Sequence, residues 1–160
     1  MALEYVKTQT EEICLEAVKQ EGNALKFVKE QNKEICLKAV KENGMALIYV
    51  KEQTEAICIE AVKQNSNALQ YVEIQTKKIC LEAVKQDGEA LEYVKEQKED
   101  ICLEAVKQNI EAKQFINKNL LKKINKDKKK INLIKFKRMY NIKKTKGNKM
   151  NDIEYLQKED

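Results

Sequence analysis

The chain has 160 residues, of which 36% are charged and 42% hydrophobic, with five cysteines and neither proline nor histidine. This length suits one ordinary domain, and the composition is typical of a soluble protein rich in helices. The first residues contain no apolar signal-peptide core, and no run approaches the roughly 18 apolar residues of a membrane span. We therefore expect an intracellular, cytoplasmic protein.

Charge is segregated along the sequence. Residues 1–117 hold 16 basic and 21 acidic residues, residues 118–149 hold 14 basic and 1 acidic, and residues 150–160 hold 1 basic and 4 acidic. The formal net charge of +5 therefore averages two acidic regions and one strongly basic region. We predict a five-unit helical repeat array over residues 1–111, a decayed sixth repeat with a Lys-rich extension over residues 112–149, and a short acidic tail over residues 150–160.

A period of 22 residues runs through the first region. Each unit begins at an alanine, and these are Ala2, Ala24, Ala46, Ala68, Ala90 and Ala112. Five units are complete and follow the pattern A-L-x-[YF]-V-x-x-Q-x-x-x-I-C-[LI]-x-A-V-K. One such unit cannot bury its apolar face alone, so a period of this size predicts a stacked array.

The first predicted helix of a unit, such as residues 24–30, places its apolar residues on one side. Asn23 and Asn67 are suitable N-caps for this helix. The glycines before it suit the left-handed residue that ends the preceding helix. They are Gly22, Gly44 and Gly88.

The second predicted helix, such as residues 11–20, has a much broader apolar surface. Candidate N-caps precede it in four units, as Thr10, Asn32, Thr54 and Thr76. Ile13, Cys14, Leu15, Ala17 and Val18 leave only a narrow polar strip, so this helix must be covered on several sides. The sequence therefore predicts an all-α solenoid of about five helix-turn-helix repeats, followed by a basic C-terminal extension.

A competing fold follows from the same period. Because 22 is twice 11, the array is also compatible with one long helix in a right-handed supercoil, or with a helix lying on a lipid surface. The regularly spaced glycines and the two differently shaped apolar faces favour the solenoid.

The fourth and fifth units read ALQYVEIQTKKICLEAVKQDGE and ALEYVKEQKEDICLEAVKQNIE. The array up to about residue 110 resembles a family of tandem repeats of unknown function, with units close to A-L-x-Y-V-x-x-Q-T-x-E-I-C-L-x-A-V-K-Q-N-G. Long runs of this repeat are found in giant viruses of amoebae and in some protists. The resemblance implies an intracellular, giant virus-like repeat protein, and it implies no ligand or catalytic residue.

The cysteines recur once per second helix, as Cys14, Cys36, Cys58, Cys80 and Cys102. Packed helices stand about 8 to 10 Å apart, beyond the roughly 7 Å between Cα atoms that a disulfide spans. Without histidine or a C-x-x-C motif, neither a metal site nor an activated thiolate is indicated. We interpret the cysteines as small buried residues. The alternative is redox sensing or modification of an exposed end cysteine, Cys14 or Cys102.

A glutamine recurs without exception at the end of each first helix, as Gln9, Gln31, Gln53, Gln75 and Gln97. We predict that its amide satisfies loop backbone groups in every unit. The alternative is a row of amides that binds a ligand from outside. The aromatic residue of each unit is predicted to be mostly core, with an aromatic stripe for a partner as the alternative.

The outer positions vary between units, and a binding surface would be specified there. At the third and seventh positions Ile48 and Ile74 stand where other units carry polar residues. The candidate partner surface consists of Ile48, Ile74, Glu30, Glu52 and Gln70. We find no paired-carboxylate, phosphate-loop or triad motif and predict no cofactor. The sequence therefore favours a non-catalytic scaffold for protein–protein interaction over an enzyme.

The Lys-rich extension carries apolar residues at helical spacing from Leu120 to Ile134, which predicts an amphipathic basic helix that covers the last repeat. This segment supports a second function, the binding of nucleic acid or an anionic membrane, and also a nuclear-localisation signal. The candidate contacts are Lys122, Lys123, Lys128, Lys129, Lys130, Lys137, Arg138, Lys143 and Lys144.

Two further hypotheses concern the ends of the chain. The extension consists largely of residues that A- and T-rich codons supply, so a decayed repeat gene product without selected function is a third possibility. The first unit lacks the polar capping repeat that solenoids normally have. We therefore expect weak self-association through its exposed face.

Overall fold

The computed structural model describes residues 3–126, with side chains up to Asn125, and in that range it contains only helices. Six α helices alternate with six short 3₁₀ helices. The α helices are α1 (Glu11–Gln20), α2 (Lys33–Glu42), α3 (Glu55–Gln64), α4 (Lys77–Gln86), α5 (Glu99–Gln108) and α6 (Lys118–Lys126). The 3₁₀ helices are η1 (Leu3–Tyr5), η2 (Gly22–Phe27), η3 (Gly44–Tyr49), η4 (Ser66–Tyr71), η5 (Gly88–Tyr93) and η6 (Ile110–Phe115).

The α helices begin where their caps predict. The side chain of Thr10 accepts a hydrogen bond from the Ile13 N–H, and Asn32, Thr54 and Thr76 act in the same way in the next three units. Each bond satisfies one of the N–H groups that the first turn of an α helix leaves without a partner. In α5, Lys98 takes the cap position and makes no side-chain cap bond.

The first helix of each unit is a 3₁₀ helix, so the prediction of a helix over residues 24–30 is wrong in type and position. Asn43 is at once the C-cap of α2 and the N-cap of η3, with φ −143° and ψ 108°. Its side chain accepts from the Met45 N–H at 3.0 Å. Because the cap precedes the glycine, Asn23 and Asn67 are not N-caps. The short segment between two caps holds only about two turns of 3₁₀ helix.

The glycines serve close packing rather than a left-handed turn. None of Gly22, Gly44 and Gly88 has a left-handed φ. A Cβ at Gly22 would lie 2.5 Å from the Ala39 carbonyl oxygen and 2.9 Å from the Asn43 Cβ. Glycine therefore lets the start of the 3₁₀ helix approach the end of the next α helix.

Consecutive units stack in series. Each of α1 to α4 packs against the next α helix, and each 3₁₀ helix packs against the next 3₁₀ helix. From a middle unit, α3 buries Ile57, Cys58, Ala61 and Val62. The neighbouring 3₁₀ segments add an alanine, a leucine and a valine per unit. The predicted solenoid is confirmed, and extended residues between ten-residue helices contradict the single long helix.

The chain divides into two compact units, residues 1–120 and residues 121–160. Of the second unit the structure describes only residues 121–126, which continue α6. In α6, Lys122 and Lys123 are exposed and Ile124 is buried. Seven of the predicted polyanion contacts lie outside the described residues, namely Lys128, Lys129, Lys130, Lys137, Arg138, Lys143 and Lys144.

Candidate interaction surface

The repeated glutamine joins each unit to the next. The Gln53 Nε2 donates to the Tyr71 carbonyl at 2.9 Å, and the Gln53 Oε1 accepts from the Glu73 N–H at 3.1 Å. The same two bonds recur for Gln9, Gln31, Gln75 and Gln97. Both polar groups of the amide are thus engaged by backbone. The prediction that these amides satisfy backbone groups is confirmed. The amides do not form an outward-facing row that could bind a ligand.

The cysteines lie beside these amides and are buried. The Cys58 Sγ is 3.6 Å from the Gln53 Oε1, a weak contact that a small side chain permits. Cys14 is 3% exposed and Cys102 is 0% exposed, so the hypothesis of an exposed end cysteine is wrong. A shared buried position explains why the same residue type recurs.

The environment also keeps the thiols protonated. Burial, aided by the charge of Glu73, raises the pKa of Cys58 to about 11. Burial, aided by Asp100, raises the pKa of Cys102 to about 11. Burial raises the pKa of Cys14, Cys36 and Cys80 as well. Because the thiolate is the nucleophile, these cysteines are poorly suited to thiol chemistry.

A second contact between units was missed by the sequence reasoning. The Gly44 N–H donates to the Gln64 Oε1 at 2.6 Å, and the Gly88 N–H donates to the Gln108 Oε1 at 2.7 Å. A Cβ at Gly44 would lie 2.9 Å from the Gln64 Oε1. Where Ser66 replaces the glycine, the corresponding Gln86 bonds to Glu82 instead. A glycine followed by a glutamine 20 residues later is the sequence signal for this contact.

Lysines at the sixth position of the unit form a third link. The Lys51 Nζ donates to the Lys29 carbonyl at 2.7 Å, and the Lys95 Nζ donates to the Glu73 carbonyl at 3.1 Å. The fourth unit carries the acidic Glu73 at this position. Its side chain therefore cannot donate such a bond, which sets the fourth unit apart from its neighbours.

The structure places the five predicted partner-surface residues on the outside of the array. Ile48, on η3, is 52% exposed, and Ile74, between η4 and α4, is 80% exposed. Glu30, Glu52 and Gln70 are exposed as well. All five lie on the 3₁₀ helices or on the loops that follow them. Because equivalent positions stack, Ile48 and Gln70 lie in one row along the array, and Glu30, Glu52 and Ile74 lie in another.

The polar residues that line a small depression between α4 and α5 are already engaged. Lys77 pairs with Asp100, and the Lys98 Nζ lies 3.8 Å from the Glu96 carboxylate. The hydrogen bond from Lys77 lowers the pKa of the Asp100 carboxyl. Lys95, the third lysine here, donates to backbone carbonyls. The depression therefore offers little unpaired charge to a ligand.

Neither metal binding nor membrane spanning is indicated for residues 3–126. Within that part of the chain no three acidic or cysteine side chains converge as metal ligands. No helix there has the length and apolar character needed to cross a bilayer.

Comparison with known proteins gives one finding. A family model described as "Domain of unknown function (DUF4116)" matches residues 10–54, 32–75, 54–97 and 76–121. The four matches overlap, and each spans about two of the stacked units. Neither a curated protein nor a solved structure matches the chain.

Proposed function

We propose that the chain, which belongs to the DUF4116 family of repeats of unknown function, is a non-catalytic scaffold that binds another protein. The binding surface is formed by the exposed, variable positions of the array. The five free, buried thiols support an intracellular location, since disulfides persist mainly in oxidising compartments.

The different roles of the repeated and the variable positions support this proposal. The invariant glutamines and cysteines are used within the stack, as are the glycines. The positions that differ between units lie outside. The single observation that carries the proposal is the exposure of Ile48 and Ile74 in adjacent units, since large exposed apolar side chains are a common feature of contact surfaces.

We predict that the double substitution Ile48→Asp and Ile74→Asp lowers recovery of the partner by about tenfold or more, because two apolar contacts are replaced by charges that a protein interface would have to desolvate. Proximity labelling with the full chain identifies the partner, and pull-down of that partner measures the loss.

The matched control carries Ala56→Asp and Gln86→Glu, which add the same charge at exposed positions of the α helices. Circular dichroism of both variants checks that the array is folded. A partner that binds the Ile48/Ile74 variant as well as it binds the control would refute this binding surface.

The segregated charge supports a second candidate function. Residues 118–149 hold 14 basic residues and 1 acidic residue, a composition suited to nucleic-acid backbone or an anionic membrane. Binding of this kind weakens steeply with salt, whereas contact through Ile48 and Ile74 depends on salt only weakly. A complex that survives the isoleucine substitutions but dissociates as salt rises would support the basic segment. If the third hypothesis is right and the chain has no selected function, it will form neither complex.

A further inference from the structure

We infer that the partner presents a peptide segment that combines apolar and basic residues, and that this segment docks along the seventh position of consecutive units. This inference rests on the proposed function and specifies the class of partner. The docking site consists of Glu30, Glu52, Ile74 and Glu96, called here the seventh-position row, and of Glu73 beside Ile74.

The row is continuous and exposed. Its members occupy equivalent positions in four units that stack in series, so they follow one another along the array. Ile74 is 80% exposed, and the Glu96 side chain is 84% exposed. The row therefore places one apolar side chain between carboxylates of the preceding and following units.

Most acidic groups at the row are free to accept a partner's cations, and Glu96 makes only an exposed ion pair, 3.8 Å from the Lys98 Nζ. Within residues 3–125, Glu30, Glu52 and the adjacent Glu73 make no ion pair. The neighbouring lysines Lys51 and Lys95 direct their Nζ atoms onto backbone carbonyls. Carboxylates around an exposed isoleucine, most of them without an ion-pair partner, are complementary to lysine or arginine on either side of an apolar residue.

The spacing of the units sets the spacing expected in the partner. Packed helices stand about 8 to 10 Å apart, so successive members of the row are separated by roughly that distance. An extended chain rises about 3.3 Å per residue, and three residues therefore span one unit. The expected segment has a basic residue about three positions before and three positions after an apolar anchor.

Selection from a library of random peptides of about nine residues tests this inference on the full chain. We expect enriched peptides to carry the basic–apolar–basic spacing. An enriched peptide should lose about tenfold or more in affinity for a Glu52→Lys, Glu73→Lys variant, since each attraction becomes a repulsion. A Glu12→Lys, Glu34→Lys variant, with the same charge change at exposed positions of α1 and α2, should bind nearly as tightly as the unmodified chain.

Three results would overturn the inference. They are the enrichment of acidic or purely apolar peptides, equal binding by the row variant and the control variant, and the absence of any enrichment. A partner that depends on Ile48 and Ile74 but is indifferent to the charge reversals at Glu52 and Glu73 would leave the scaffold standing and refute only this class of partner.

Discussion

Replacing Gln53 with alanine is expected to lower the free energy of unfolding by about 2 to 3 kcal/mol, because two hydrogen bonds between units are lost. The Tyr71 carbonyl loses its donor at a part-buried position, and the Glu73 N–H loses its acceptor at an exposed one. A part-buried carbonyl left without a partner costs more than the net value of its bond. Denaturant unfolding of the full chain measures the change.

The matched control is Gln86→Ala, which removes an amide whose Nε2 makes a solvent-exposed hydrogen bond of 3.3 Å to Glu82. We expect the control to change the free energy of unfolding by less than about 0.5 kcal/mol. Gln53→Glu keeps an acceptor for the Glu73 N–H but loses the donor to Tyr71, and it should fall between the two. Equal effects of Gln53→Ala and Gln86→Ala would contradict the role assigned to the repeated glutamine.

Alkaline pH is expected to destabilise the array through its buried thiols. The pKa of Cys58 and the pKa of Cys102 rise from 9.0 to about 11 on folding. A group whose pKa is higher in the folded state than in the unfolded state binds its proton more tightly when folded. The free energy of unfolding therefore has its full value below the unfolded-state pKa and falls as the pH rises through the folded-state pKa. At about 1.4 kcal/mol per pH unit, ionisation of the two thiols is expected to lower the free energy of unfolding by several kcal/mol between pH of about 9 and about 11.

The control for this effect is a Cys58→Ala, Cys102→Ala variant. It should be less stable near neutral pH, by about 1 kcal/mol per site for the atoms removed from the core. Its stability should then fall less between pH of about 9 and about 11, because the two buried thiols that ionise in the unmodified chain are absent. Denaturant midpoints across this pH range measure the difference, and parallel pH profiles would contradict the burial of these thiols.

The sequence predicts the α helices well because local chemistry defines both of their ends. Thr10 begins α1 through a side-chain hydrogen bond, and the apolar pattern continues to Val18 on the buried face. The 22-residue repetition then shows that the same solution recurs in each unit. Such capping and patterning signals act over a few residues, so they can be read without knowledge of tertiary structure.

The first helix of each unit was predicted less well because its conformation depends on its neighbours. A short apolar segment such as Ala46 and Leu47 fits one face of either an α or a 3₁₀ helix. Asn43 ends one helix and begins the next, and this shared cap leaves too few residues for an α helix. The contact that excludes a Cβ at Gly22 comes from Ala39, 17 residues later, which no local pattern reveals.

For the candidate site, the sequence predicts which residues are exposed but not what they bind. Ile48 and Ile74 stand out because repetition shows which residue type the other units carry there. The availability of the carboxylates of Glu52 and Glu73 follows only from the directions in which Lys51 and Lys95 point. Those directions are set by backbone carbonyls of the preceding unit, so they required the structure.

The most direct test of the account is the reactivity of the five cysteines in the native full chain near neutral pH. If Cys14, Cys36, Cys58, Cys80 and Cys102 belong to the buried junctions of a continuous stack, a thiol reagent should modify them only as slowly as the array opens. All five should react at once in denaturant. Rapid modification of all five thiols in the native protein would contradict the stacked array and the scaffold built on it.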